Sequence, residues 1–210
     1  RTFRRKKDAE ELSCGFEESL KLLPGTEMRR RAEELGIRYS PFPPYEVLET
    51  NEISVGELQT ARRLSRLLDA FYNTPAWHTL TRELILNDKD FLHNFLKYLI
   101  QVNLIDQPMS LEKRGLILYE YCKLAYPEYK IQASIAWIEA GMSLKKTPAE
   151  KVKTKHQIPP EKWEVIYGGY KSNLRLCFLP LDENTKCGYW FGFETEIQRT
   201  FPVFKAKTDI

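Results

Sequence analysis

The chain has 210 residues, 42% of them hydrophobic and 12% aromatic, enough to bury one sizeable core or two small ones without disulfide or metal staples. Lys plus Arg number 32 against 29 Asp plus Glu, a formal charge of +3 that excludes the strongly basic balance of a dedicated nucleic-acid binder. Apolar runs such as 116–119 and 177–179 are far below bilayer length, and no charged-then-apolar signal opens the chain, so a soluble cytoplasmic protein with no membrane partner is expected.

The chain opens on Arg1, Arg4, Arg5, Lys6 and Lys7 with no initiator Met, which reads as the interior of a longer protein; a fragment is expected. Residues 20–23 form a short extended piece, followed by a tight turn at Pro24, Gly25 and Thr26. Good helix formers then predict a helix over 27–35, with Gly36 as its C-terminal cap. The run Tyr39, Ser40, Pro41, Phe42, Pro43, Pro44, Tyr45 cannot be helical, because each proline removes a donor and holds its predecessor extended. It is expected to lie as an ordered strap over an apolar surface.

Ser54 and Glu57 have capping-box spacing ahead of Leu58, Ala61, Leu64, Leu68, Phe71 and Tyr72, an amphipathic helix that stops near Pro75. A short helix over 77–86 follows. Asp88 is then the expected cap of a third helix, with Phe91, Leu92, Phe95, Leu96, Leu99 and Val102 on one broad face. Ser110 starts a fourth helix that ends before Pro127, and 129–140 supplies a fifth, with Gly141 just past it. Short links between five helices predict a bundle-like or orthogonal helical domain.

From 144 to 162 lysines dominate and prolines interrupt, which reads as a basic linker with one helical turn from Thr147. Beyond it the period becomes two: Trp163, Val165 and Tyr167 alternate, then Leu174, Leu176 and Phe178, then the aromatic run 187–193. Asp182 to Lys186 are turn formers, so a hairpin is expected, with Val203 and Phe204 as a further strand. Tyr189, Trp190, Phe191 and Phe193 are read as core on one side of the sheet; burial of both faces would make the second a docking surface. The predicted fold class is mainly α with a small C-terminal antiparallel β-sheet or hairpin (α+β). The predicted domains are 1–51, 52–143, a linker 144–162 and a β region 163–210.

Chemistry is sparse. Cys14, Cys122, Cys177 and Cys187 are spaced like neither a zinc ribbon nor an iron–sulfur run, and free buried thiols are the expected state. Cys177 and Cys187 are the one pair placed to face each other across a hairpin. His78, His93 and His156 are scattered, His93 on the polar side of its helix, and none has the helical spacing of a zinc pair. Gly168 and Gly169 lack the Lys-Ser/Thr of a phosphate loop and are read as a bend between strands. No nucleophile elbow or acid–base constellation occurs, so no catalytic or metal residue is assigned and an enzyme acting alone is disfavoured. The lysine linker with Trp163, Tyr167 and Tyr170 is read as a solvated hinge. The alternative is a protein- or RNA-binding module in which those lysines meet phosphates and exposed aromatics stack on bases.

Three segments carry a resemblance. Leu20, Lys21, Leu22, Leu23, Pro24, Gly25, Thr26, Glu27, Met28, followed by Arg31, Ala32, Glu33, Glu34, Leu35 and Gly36, resembles the last strand–loop–helix part of a radical S-adenosylmethionine (radical SAM) barrel. The run from Tyr39 through Tyr45 and on to Asn51 is similar to the connector in a subgroup of cobalamin-binding radical enzymes. Ser54, Glu57, Leu58, Arg63, Phe71, Tyr72, Asn73 and Trp77 resemble the start of the helical domain that follows it. The resemblance implies a non-catalytic C-terminal accessory domain of a cobalamin-binding radical SAM enzyme that packs on the barrel and shapes substrate access. The iron–sulfur cluster, S-adenosylmethionine and cobalamin are implied to bind the rest of the parent chain, its expected partner, and none of them this segment. Within the segment it implies substrate-facing candidates at Pro24, Gly25 and Thr26, with Tyr45 and Glu46 second. A Pro-Gly turn with Thr26 as helix cap explains the same residues without substrate.

Overall fold

The computed structural model describes residues 20–148, 164–166, 174–181, 187–194 and 201–208. Cys14, His156, Trp163, Tyr167, Gly168, Gly169, Tyr170, the linker beyond 148 and the segment 182–186 lie outside the described residues. The described residues form six α-helices and two antiparallel sheets, an α+β fold dominated by helix. The chain divides into two units: the first runs to Thr74 and includes Thr81–Pro108, the second comprises Pro75–Leu80 and Met109 onward.

In the first unit, helix α1 (Glu27–Arg30) is followed by strands β1 (Arg38–Tyr39) and β2 (Val47–Glu49), which pair antiparallel. The helix expected over 27–35 is shorter than its composition indicates. After Arg30 the chain tightens to a bond from the Ala32 N–H to the Arg29 carbonyl, and Gly36 at φ 63° then ends the turns. This lowers Ala32 onto Leu22 and Val47, a small buried cluster that Ile37, Tyr39 and Leu58 flank. The extended piece at 20–23 is held to β2 by the Leu22 N–H on the Tyr45 carbonyl (2.9 Å) and the Val47 N–H on the Leu20 carbonyl (3.0 Å). The proline-rich strap differs from expectation: its ends pack, but Pro41, Phe42, Pro43 and Pro44 stand exposed, Phe42 at 73%. With three of four residues unable to donate, this stretch has little to pair with an underlying strand.

Helix α2 (Val55–Leu67) begins with the predicted capping box. The Ser54 hydroxyl accepts from the Glu57 N–H (3.3 Å), and the Glu57 carboxylate accepts from the Ser54 N–H (2.9 Å), which holds the Glu57 carboxyl below its ordinary range. A π-helical stretch, Leu68–Tyr72, continues it, and the buried Thr81 hydroxyl donates to the Phe71 carbonyl at 3.4 Å. Helix α3 (Pro75–Asn87) has Pro at its first position, where the missing N–H costs nothing. Helix α4 (Phe91–Gln101) buries Phe91, Phe95, Leu96 and Leu99 and leaves His93 exposed. Its cap differs from the expected one. Asp90 occupies the N-cap position, while the Asp88 carboxylate accepts from the Asp90 N–H (2.8 Å) in a turn one step earlier.

Asp106, just beyond α4, is gripped from α2. Arg63 approaches Asp106 Oδ2 through Nε (3.1 Å) and Nη2 (2.6 Å), and Arg66 Nη1 reaches Oδ1 at 2.9 Å. These guanidinium contacts hold the Asp106 carboxyl below its usual range. A carboxyl with a depressed folded-state pKa adds stability above its unfolded value and loses it as pH falls through both. Because the pair is partly solvated, its contribution is expected to be about 0.5–1 kcal/mol. Urea midpoints of the natural chain and Asp106→Asn should therefore differ near pH 7 and converge as pH drops below the carboxylate range; a pH-independent gap would remove the arginine pairing as its cause.

In the second unit, α5 (Leu111–Ala125) starts at the Ser110 cap, whose hydroxyl accepts from the Lys113 N–H at 3.2 Å, as expected. A 3-10 turn (Pro127–Tyr129) leads to α6 (Lys130–Glu139). The helical turn expected from Thr147 lies earlier, as a 3-10 turn at Leu144–Lys146, because Pro148 bars its predecessor from the helical region. Lys146 in that turn pairs with Glu112 at 2.8 Å.

The second sheet has the order β3 (Glu164–Val165), β6 (Phe204–Thr208), β5 (Gly188–Glu194), β4 (Leu174–Pro180), antiparallel throughout. Both faces of β5 are buried, rather than one. Trp190 packs with Phe178 (centroids 5.1 Å) and Ala206 on one face, while Phe191 and Phe193 are buried on the other. Lys205 on that second face reaches Glu139 of α6 at 2.7 Å. Cys177 stands opposite Phe191, and Cys187 precedes β5, so the two cysteines do not face each other. The register pairs Pro180 with Gly188 and carries Cys187 beyond the ladder.

Candidate functional site

The turn singled out in the sequence is a β-turn from Leu23 to Thr26, closed by the Thr26 N–H on the Leu23 carbonyl at 3.3 Å. Pro24 presets the second position, and Gly25 at φ 83° takes the third, a left-handed conformation that a side chain would resist. Both are exposed. The Thr26 hydroxyl is committed to local structure, donating to the Leu23 carbonyl (2.8 Å) and accepting from the Arg29 N–H (3.4 Å) as the cap of α1. The Gly25 carbonyl accepts from Arg30 Nη2 at 3.2 Å.

Tyr45 and Glu46 come to the same end of the unit through the connector. A turn over Phe42, Pro43, Pro44 and Tyr45 has a cis Pro43–Pro44 bond and is closed by the Tyr45 N–H on the Phe42 carbonyl at 2.9 Å. Tyr45 itself sits at φ 60°. Its half-buried ring lies 4.8 Å from the guanidinium carbon of Arg29, whose other ring contact is Tyr39 at 4.9 Å. Arg29 Nη1 donates to the Leu22 carbonyl at 3.1 Å. Glu46 turns instead toward α2, where Arg62 pairs with it at 3.2 Å and donates to the Val47 carbonyl at 2.7 Å.

The Thr26 hydroxyl and the Tyr45 ring thus meet at Arg29, the Gly25 carbonyl is held by Arg30, and Glu46 is held separately by Arg62. Arg29, Tyr39 and Arg62 were not singled out from sequence. One signal was present: Arg29 stands three positions after the cap residue, so its side chain lies over the turn that Thr26 closes.

Among the described residues no group of three or more His, Cys, Asp or Glu side chains is placed to hold a metal ion. Burial pushes the Cys122 thiol up to about 12, with the Glu128 charge adding to it. Burial likewise pushes Cys177 up to about 12 against the opposing charge of Arg175. Neither supplies thiolate at neutral pH, as a nucleophile or ligand must. No described helix is long and apolar enough to cross a membrane.

The described residues therefore define an α+β protein with a strand–turn–helix and an aromatic-held arginine at one end of its first unit, but no metal-ligand cluster. A family model described as "Protein of unknown function (DUF4080)" matches residues 33–162, more than half of the chain, and the chain belongs to that family. Neither the curated proteins nor the solved structures gave a match.

Proposed function

We propose that this chain is the C-terminal accessory region of a cobalamin-binding radical SAM iron–sulfur enzyme, in which 1–51 completes the barrel and leads into the helical domain at 52–143. It packs on the barrel and shapes substrate access, and the chemistry belongs to the rest of the parent chain in the cytoplasm. The observation that carries the reading is the strand–turn–helix of 20–30 with its exposed apolar side chains. Leu20, Leu23, Met28 and Phe42 are 53%, 51%, 45% and 73% exposed around a core as small as Leu22, Ala32 and Val47. Apolar surface concentrated on so slight a core is expected to be covered by further protein. The resemblance of residues 20–77 to the end of a radical SAM barrel, its connector and the helical domain that follows supports the same parent.

The described cysteines do not fit an iron–sulfur ligand role, being buried at Cys122 and Cys177 and assembled into no cluster. The test is to express the parent chain intact and lacking residues 54–210, reconstitute cluster and cobalamin anaerobically, and measure adenosylmethionine cleavage and substrate turnover. Retained cofactor binding and cleavage with impaired turnover is the expected result. Loss of cleavage with an intact cluster would make the region part of the catalytic architecture instead, and a parent that binds neither cofactor would overturn the assignment.

A further inference from the structure

Between Arg30 and Arg66 every arginine of the first unit faces a carboxylate, and two show how. Arg31 grips Glu34 through Nε (2.9 Å) and Nη2 (3.1 Å), and Arg63 grips Asp106 through Nε (3.1 Å) and Nη2 (2.6 Å). Both use the side-on edge of the guanidinium, the fork that matches the two oxygens of a carboxylate or phosphate. Arg29 is held differently. Its Nη1 is bonded to the Leu22 carbonyl and its guanidinium lies over the rings of Tyr39 and Tyr45, but its Nε and Nη2 edge has no hydrogen-bond or acidic partner among the described residues.

Aromatic rings against a guanidinium restrict its orientation and leave its in-plane N–H groups as the remaining polar valence. The arrangement has a backbone cost. Tyr45 is a bulky residue in the left-handed region, strain that persists only where the surroundings enforce it, and its ring meets Arg29 from that conformation. Arg29 is half-buried, so the fork is oriented by its neighbours and still within reach of a small ligand.

We propose that the Nε–Nη2 edge of Arg29, set in place by Tyr39, Tyr45 and the Leu22 carbonyl, is an oxyanion-binding site for the carboxylate or phosphoryl group of a small ligand. The site is built from this chain's residues alone, so its test requires no parent cofactor and its failure leaves the accessory reading standing. Arginine Nε–H resonances of the full chain are followed by nuclear magnetic resonance during separate titrations with inorganic phosphate and succinate. Arg29 is expected to shift saturably, while Arg31 and Arg63, already occupied, shift little. Saturation by phosphate alone identifies a phosphoryl ligand, and by succinate alone a carboxylate. Arg29→Lys keeps a cation beneath the rings but has no fork, and is expected to weaken binding about tenfold or more, read at the Gly25 and Leu22 amides. Parallel, unsaturated drift of all three arginines, an adventitious ionic effect, would overturn the proposal, as would equal affinity in folded Arg29→Lys. The titration of the unmutated chain decides the matter even if that variant fails to fold.

Discussion

Phe95→Ala is expected to lower the unfolding free energy of the first unit by about 3–5 kcal/mol, the range for deleting a fully buried aromatic side chain. Phe95 is fully buried at the centre of an aromatic group. Phe71 meets it edge-on at 4.9 Å, Phe91 stacks at 5.5 Å and Tyr98 at 6.4 Å. Truncation removes the ring's dispersion contacts with all three and leaves a cavity whose walls belong to α4 itself and to the π-helical turn, which cannot both move inward together. Guanidinium unfolding followed by far-ultraviolet circular dichroism reads the loss, and Phe95→Leu should recover part of it by refilling the space. A loss below about 1 kcal/mol would mean that the site collapses freely and that Phe95 is not central to this core.

That core was legible because its signal is periodic. Phe91, Phe95 and Leu99 recur every four residues, and Ser54 and Ser110 mark two helix starts by chemistry that acts within one turn. The strands showed through alternation, as at Leu174, Leu176 and Phe178. What escaped depends on contacts without a period. Gripping of Asp106 by Arg63 joins residues far apart in sequence, and the approach of Arg29 to Tyr39 and Tyr45 depends on how the proline run folds back. The mispairing of Cys177 with Cys187 has the same origin. Turn formers announce a hairpin, but only the register decides which residues are opposite, and a shift of one residue also reverses the faces. At the candidate site the Pro24-Gly25 turn and the Thr26 cap were readable from local chemistry. Arg29, whose side chain lies over Tyr39 and Tyr45, was not.

The second large effect belongs to a glycine inside a helix, where composition alone counts it as a defect. Gly115 lies in α5, and a Cβ built there would come 2.5 Å from Trp77 Cη2, 2.8 Å from Trp77 Cζ2 and 2.9 Å from Trp137 Cε3. Both indoles are buried, and the Trp137 Nε1–H is anchored on the Ser143 carbonyl at 3.1 Å, so neither ring is a flexible tip able to step aside. Gly→Ala in a helix interior ordinarily gains about 1 kcal/mol from propensity. Here overpacking opposes it with a cost of about 1–3 kcal/mol, more where rigid rings must shift. Gly115→Ala is therefore expected to destabilise the second unit by about 1–2 kcal/mol net, and Gly115→Leu to disrupt the packing of both indoles. Tryptophan fluorescence and near-ultraviolet circular dichroism during unfolding would report it. A stabilised Gly115→Ala with unchanged indole spectra would show instead that α5 has room at this position and that propensity prevails.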